Sequence, residues 1–320
     1  MRVTANAFPN RLNYQLAELT SKQAALQKQA ATGQRISKPS DNPLAMRKVL
    51  DLQGELRNLA QYQTNSARLK ESLDASYGAL KQMKSVSDRA GEIATLADST
   101  KGVEGLKAYA TEINQMLEHS VQVANSKHIN GYLFGGTKNT APPITATRDG
   151  AGKITSTTYQ GTMTVPQFEV AEGISLSIQF PSENSTGTGN AGILKDSRYG
   201  SDFITHLIQL RDGLEAAAAG GDAGTAALAN LKNTSVSSFE KDETAFIDTF
   251  STIGAIQSRL DSASNVSRER AQALDPLISR EADADLADTL VRLNEIQNAY
   301  MAALKSGSTI MNTSLLDYLR

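Results

Sequence analysis

Apolar positions follow a helical period at both ends of this chain and a period of two near its middle. Toward the C-terminus, Leu286, Leu290, Leu293, Gln297, Tyr300, Leu304, Gly307 and Met311 recur at alternating steps of four and three. That spacing keeps one stripe on one helix face, the seam of a coiled coil. A second lane, Ile296, Tyr300, Ala303 and Ile310, runs beside it. Near the N-terminus, Leu12, Leu16, Leu19, Gln23, Leu26 and Ala30 repeat the same steps, and Gly33 is placed to end that helix as a C′ residue. Both seams are thin, rich in Ala and interrupted by Gln, which weakens pairing but restricts register. The spacing predicts two terminal helices that pair with each other.

Between them the pattern predicts long helices around a β insert. Pro39 and Pro43 break any helix after Gly33. Ser40, Asp41 and Asn42 are capping residues, and Pro43 suits the first turn of a new helix behind an Asn42 cap. From Pro43 to Asp98 the stripe Leu69, Leu73, Leu80, Met83, Ala90 predicts a helix of about 80 Å at 1.5 Å per residue. A further helix carries Leu106, Ile113, Leu117 and Val121 and is expected to end near His128. The run 130–144 then places Asn-Gly, Gly-Gly and Pro-Pro close together, and no helix crosses it. Strands are expected at 144–147, 153–160, 162–170 and 174–180, with a hairpin turn at Asp149–Gly152. Residues 182–192 read as a flexible polar exit. Helical pattern returns from Ser201 and again from Ala223, with a break or kink at Pro276.

The expected fold class is therefore mostly α with a small β insert: a long antiparallel helical bundle or rod, terminal coiled-coil helices at one end and the β domain at the other. The expected segments are 1–40 (N-terminal assembly helix), 41–136 (first part of the rod), 137–192 (β domain), 193–278 (returning rod) and 279–320 (C-terminal assembly helix).

Composition narrows the chemistry. The 320 residues contain no Cys and no Trp, only 5% aromatics, and a formal charge of −2. No Cys means no disulfide, thiol nucleophile or Cys-ligated zinc. The near-neutral balance gives no whole-chain attraction to nucleic acid. Residues 1–98 carry 14 Lys and Arg against 9 Asp and Glu, a mild excess read as a solvated helix face. No stretch is apolar enough to span a membrane, and the N-terminus lacks an apolar run of signal-peptide length. The three histidines, His119, His128 and His206, have no ligand or catalytic spacing. Asp283, Asp285 and Asp288 lack the Gly and closing Glu of a calcium loop and read as helix-start carboxylates. Asn184-Ser185-Thr186 fits a glycosylation sequon by chance alone. No catalytic residue, metal site or cofactor is expected.

Four stretches resemble the bacterial flagellin superfamily. They are ATGQRISKPSDNPLAMRKVLDL (31–52), NGYLFGGTKNTAPPI (130–144), DADLADTLVRLNEIQNAYMAALKSGSTI (283–310) and NTSLLDYLR (312–320). Within that superfamily the chain is most similar to the hook–filament junction proteins, the third of the hook-associated proteins. Asn42 stands where the family often has a second Asp, and the final Arg320 resembles the ending of flagellin itself. A short flagellin is therefore the alternative. A type III secretion tip or translocator protein is a third class, without the GYLFGG and LLDYL stretches.

The resemblance implies a structural protein without enzymatic activity. It implies export without a cleaved signal peptide, guided by a chaperone, to an extracellular place in the flagellum. It also implies self-assembly in a helical tube between a neighbouring hook-associated protein and flagellin, with no nucleic-acid or membrane partner. The expected assembly contacts are Leu12, Leu16, Leu19 and Leu26 with Leu286, Leu290, Leu293, Tyr300, Leu304 and Met311, beside the helix-capping loop Ser40, Asp41, Asn42 and Pro43. Both termini are expected to be mobile in the free monomer, because thin seams return little against the entropy of ordering.

Overall fold

The computed structural model describes the backbone of residues 7–129 and 131–318, and the side chains of residues 10–98, 100–129 and 131–309. Among the described residues there are six α-helices and a set of short strands, so the chain is mostly helical as its pattern predicts. The helices are α1 (Ala7–Thr32), α2 (Pro43–Leu96), α3 (Gly102–Ala124), α4 (Phe203–Ala218), α5 (Gly221–Ala282) and α6 (Leu286–Tyr318). Two compact units divide the chain: 1–60 with 269–320, and 61–268. The division falls within α2 and α5.

The larger unit, 61–268, holds the main core. Along α2 one buried lane runs Leu69, Leu73, Ser76, Leu80, Met83, Ser87, Ala90 and Ala94 at steps of four and three, beside the buried Ala79, Val86 and Ile93. Two residues of the lane are serines. Ser76 satisfies its hydroxyl by donating to the Ser72 carbonyl at 3.0 Å, so a small polar residue sits in an apolar lane without an orphaned group. Against this lane lie Ile113 and Leu117 of α3, Leu207 and Leu210 of α4, and Phe246 of α5, all fully buried in one cluster. Phe203 and Phe246 meet edge-on at 5.3 Å.

The β region is a set of short ladders docked on these helices. Strands β1 (Lys127–His128) and β2 (Gly131–Tyr132) pair first. The expected hairpin forms as β3 (Ile144–Arg148) and β4 (Ile154–Tyr159), with Ile144 opposite Tyr159. Its turn is closed by Asp149, whose Oδ1 accepts from the N–H groups of Ala151 and Lys153, both at 2.9 Å. A second hairpin joins β5 (Phe168–Ala171) and β6 (Ile174–Leu176). The last ladder is β7 (Glu183–Asn184), β8 (Lys195–Asp196) and β9 (Ser201–Asp202).

Four local expectations are corrected. Helix α3 stops at Ala124 rather than near His128, because Asn125 turns its amide onto Ile144, donating to its carbonyl at 2.8 Å and accepting from its N–H at 2.9 Å. The strand expected over 162–170 shortens to Phe168–Ala171, since Thr162 and Thr164 turn aside to receive the N–H of Thr137. Residues 182–192 are tied rather than loose: buried Asn184 donates to the carbonyls of Thr188 and Asn190 at 3.0 and 2.8 Å. Its amide nitrogen is thus already engaged. Finally α5 continues through Pro276, so of the expected break or kink the break does not occur. Pro276 and Gln272 are both exposed, so the carbonyl that loses its helical partner faces water.

Candidate assembly surface

The smaller unit, 1–60 with 269–320, contains all the residues singled out at the two termini. Helices α1 and α6 pack along each other. They run antiparallel: Leu12 lies against Gly307 at one end, and the Ala284 N–H donates to the Gly33 carbonyl at 2.8 Å at the other. From Arg11 to Leu26, Leu12, Leu16, Leu19, Gln23 and Leu26 are half-buried and every residue between them is exposed. The predicted seam is therefore the face α1 turns inward. None of these residues is fully buried. Half-burying a leucine contributes about 1 kcal/mol, whereas ordering each residue costs about 1–2 kcal/mol of backbone entropy. A thin two-helix seam leaves this pair weakly held.

Helix α6 separates the predicted residues into two lanes. Thr289, Leu293, Ile296, Tyr300, Ala303 and Gly307 are half-buried or buried and recur at steps of four and three. This inner lane takes Leu293, Tyr300 and Gly307 from the main predicted seam, and Ile296 and Ala303 from the second. Leu286, Leu290 and Leu304 instead stay 49%, 51% and 45% exposed. Leu290 and Leu304 lie one residue from the inner lane, about 100° around the helix, and Leu286 is the exposed first residue of α6. Val291 and Met301 join them as exposed apolar residues that the periodicity did not single out. Their signal was available: both stand one place from a seam position, where a helix buried on one side only carries polar residues. Met311 lies outside the described side chains.

A corner joins the helix pair to the rest of the unit. Gly33 closes α1 in the left-handed region, φ +69°, with its N–H on the Gln29 carbonyl at 2.8 Å. Gln34 and Asp283 then form an antiparallel bridge, reinforced by the Arg35 N–H on the Ala282 carbonyl at 2.7 Å. The Arg35 guanidinium adds a bond to the Glu281 carbonyl at 2.8 Å. The Lys48 ammonium, hydrogen-bonded to the Glu281 carboxylate at 2.5 Å, holds that carboxyl below its usual range.

The capping loop is organised by Asp41 and Asn42. Asp41 Oδ2 accepts from the N–H groups of Ser37 and Lys38 at 3.0 and 2.9 Å, and these bonds lower its pKa. Asn42 Oδ1 accepts from the Ala45 N–H at 3.1 Å, and Pro43 opens α2. Ser40 is exposed in the turn. Among the described residues no three His, Asp or Glu side chains gather as a metal would require. His206 is held by Asp242, Nδ1 to Oδ2 at 2.7 Å, in the other unit.

The comparisons with known proteins agree with this geometry. Residues 3–139 match the family model of the bacterial flagellin N-terminal helical region. No curated protein matches the sequence. Among solved structures, FlgL of Xanthomonas campestris is 18% identical, with a TM-score of 0.58 over 70% of this chain and 98% of that one. The flagellar junction protein FlgL of Legionella pneumophila is 14% identical, with a TM-score of 0.57 over 73% and 99%. FlgL of Bacillus cereus is 20% identical, with a TM-score of 0.53 over 72% and 100%. The chain has the fold of these proteins, and its N-terminal part carries the flagellin signature.

Proposed function

We propose that this chain is a structural protein of the bacterial flagellum that joins the hook to the filament, polymerising into a short tube through its terminal helices. The observation that carries the reading is the divided face of α6. One lane packs toward α1, and Leu290, Met301 and Leu304 beside it, with Leu286 at the start of the helix, remain exposed. An apolar lane next to an already weak helix pair is what a subunit needs if neighbours complete its folding. A contact between unlike faces of successive copies generates a helical tube.

In this reading 1–40 and 279–320 are the assembly segments, 41–136 and 193–278 form the helical rod, and 137–192 is the β domain. The chain acts without catalysis, is exported without a cleaved signal peptide with the help of a chaperone, and works outside the cell. Its neighbours are a hook-associated protein on one side and flagellin on the other. No helix among the described residues is long and apolar enough to cross a membrane.

Deletion of the gene in the source bacterium tests this. The expected outcome is hooks without filaments and flagellin lost to the medium. If filaments persist and only their length or composition changes, the chain is a minor flagellin, the reading that its flagellin N-terminal region also supports.

A further inference from the structure

The corner between α1 and α2 holds a cavity of about 680 Å³ that the assembly lanes do not use. Three cations line it, Lys28, Arg35 and Lys38, against the single carboxylate of Asp41. That carboxylate is engaged by the loop's own N–H groups. Gln29, Gln34 and Asn42 add polar side chains to the wall. Lys28 and Lys38 are exposed; Lys28 Nζ donates to Ser37 Oγ at 2.7 Å, and the Lys38 backbone N–H donates to Asp41. The cavity is therefore cationic, open and rich in donors, which fits a carboxylate.

The same corner carries the opposite charge on its other strand. The turn between α5 and α6 carries Asp283 and Asp285, flanked by Glu281 at the end of α5 and Asp288 in the first turn of α6. Glu281 is held by Lys48 and Asp288 by Arg292. Asp285 caps α6 through the N–H groups of Ala287 and Asp288. Asp283 is exposed, and its carboxylate takes one hydroxyl, from Ser279. Cavity and turn are joined by the Gln34–Asp283 bridge, so each copy offers a basic and an acidic surface side by side.

We infer that the basic cavity of one copy receives the Asp283 turn of the next. This rests on the assembly reading above and adds a polar, register-setting contact to its apolar lanes. Charged contacts of this kind steer approach and reject wrong registers more than they add affinity. With one basic and one acidic surface on each copy, the contact is between unlike surfaces and repeats from each copy to the next.

The test is a charge swap in the full chain, expressed in a strain deleted for the gene. Lys38→Glu and Asp283→Lys are each expected to lower the fraction of cells bearing filaments by about tenfold. The double variant is expected to restore it. Circular dichroism melts of the purified variants separate misfolding from lost assembly, and the double swap stays decisive if a single variant melts early. Failure of the double variant to restore filaments overturns the inference, as does normal filament formation in either single variant. Loss with Lys38→Glu while Asp283→Lys is silent assigns the cavity to another acidic partner and also overturns it. If the deleted strain still forms filaments, the junction reading itself falls, which is a separate result.

Discussion

A methyl group of Leu12 occupies the place where a side chain on Gly307 would begin. The close contact between α1 and α6 there exists because Gly307 has no side chain in the way. Gly307→Ala must push Leu12 aside, and overpacking of this kind costs about 1–3 kcal/mol. The smaller Leu12→Ala partner makes room, so the double variant is expected to recover part of the loss. Amide exchange over 12–30 and 289–307 reads the effect. Faster exchange in Gly307→Ala, partly reversed by Leu12→Ala, is the expected outcome, and exchange over 106–124 stays unchanged.

The two lanes of α6 separate folding from assembly. Leu290 is half exposed, and Leu293 sits in the inner lane. Leu290→Asp is expected to change the stability of the isolated chain by no more than about 0.5 kcal/mol while blocking incorporation into flagella. Leu293→Asp is expected to loosen the helix pair as well as block incorporation. Urea unfolding beside a filament count distinguishes them. Equal behaviour of the two variants in both measurements would remove the distinction between the lanes.

The α1 seam was legible because a thin coiled-coil stripe on a polar helix has one solution: Leu12, Leu16, Leu19, Gln23 and Leu26 all face inward. On α6 two lanes overlap at Tyr300, and periodicity alone does not say which one a partner within the same chain will take. Of the α2 lane, Leu69, Leu73, Leu80, Met83 and Ala90 were readable; Ser76 and Ser87 were not, because their polarity hides their burial, and Ala94 was not, because a small residue carries little hydrophobic signal. Asn184 and Asp196 were unreadable for a stronger reason. Both are fully buried polar residues in a Gly, Ser and Thr-rich stretch, and hydrogen bonds to backbone groups a few residues away, with the Arg198 guanidinium on Asp196, make that burial tolerable. The basic cavity also escaped notice, because Lys28, Arg35 and Lys38 are spaced as ordinary solvated residues and meet only when the loop after Gly33 folds back.

The stretch around Gly136 ties the β region together. Its φ is +62°, and a Cβ there would collide with the backbone carbonyls of Thr162 and Thr164. The neighbouring Phe134 is buried, and its carbonyl accepts from Ser182 Oγ at 3.2 Å. Gly136→Ala meets both a disfavoured backbone region and a close backbone contact. It is expected to cost about 2 kcal/mol or more. Limited proteolysis reads this as new cleavage over 137–167, with the helices left intact. An Ala variant as resistant as the original chain would show that the contact relaxes freely.

A buried carboxyl of the larger unit gives a pH dependence of definite sign. Asp242 is buried, and burial raises its pKa, opposed by its bond to His206 and by the Asp202 N–H at 3.1 Å. A carboxyl raised in the folded state binds its proton more tightly there than in the unfolded chain. Its contribution to stability is therefore full below the ordinary carboxylate range and is lost as pH rises through the raised value. Asp242→Asn removes the titration and leaves one oxygen to serve two donors, which costs about 1–3 kcal/mol near neutrality. As pH falls from neutral toward the ordinary carboxylate range, the original chain is expected to gain stability relative to Asp242→Asn. Urea unfolding of both chains across that interval measures the gap. A gap that stays constant or narrows on acidification would show that the His206 bond, rather than burial, sets the proton affinity of Asp242.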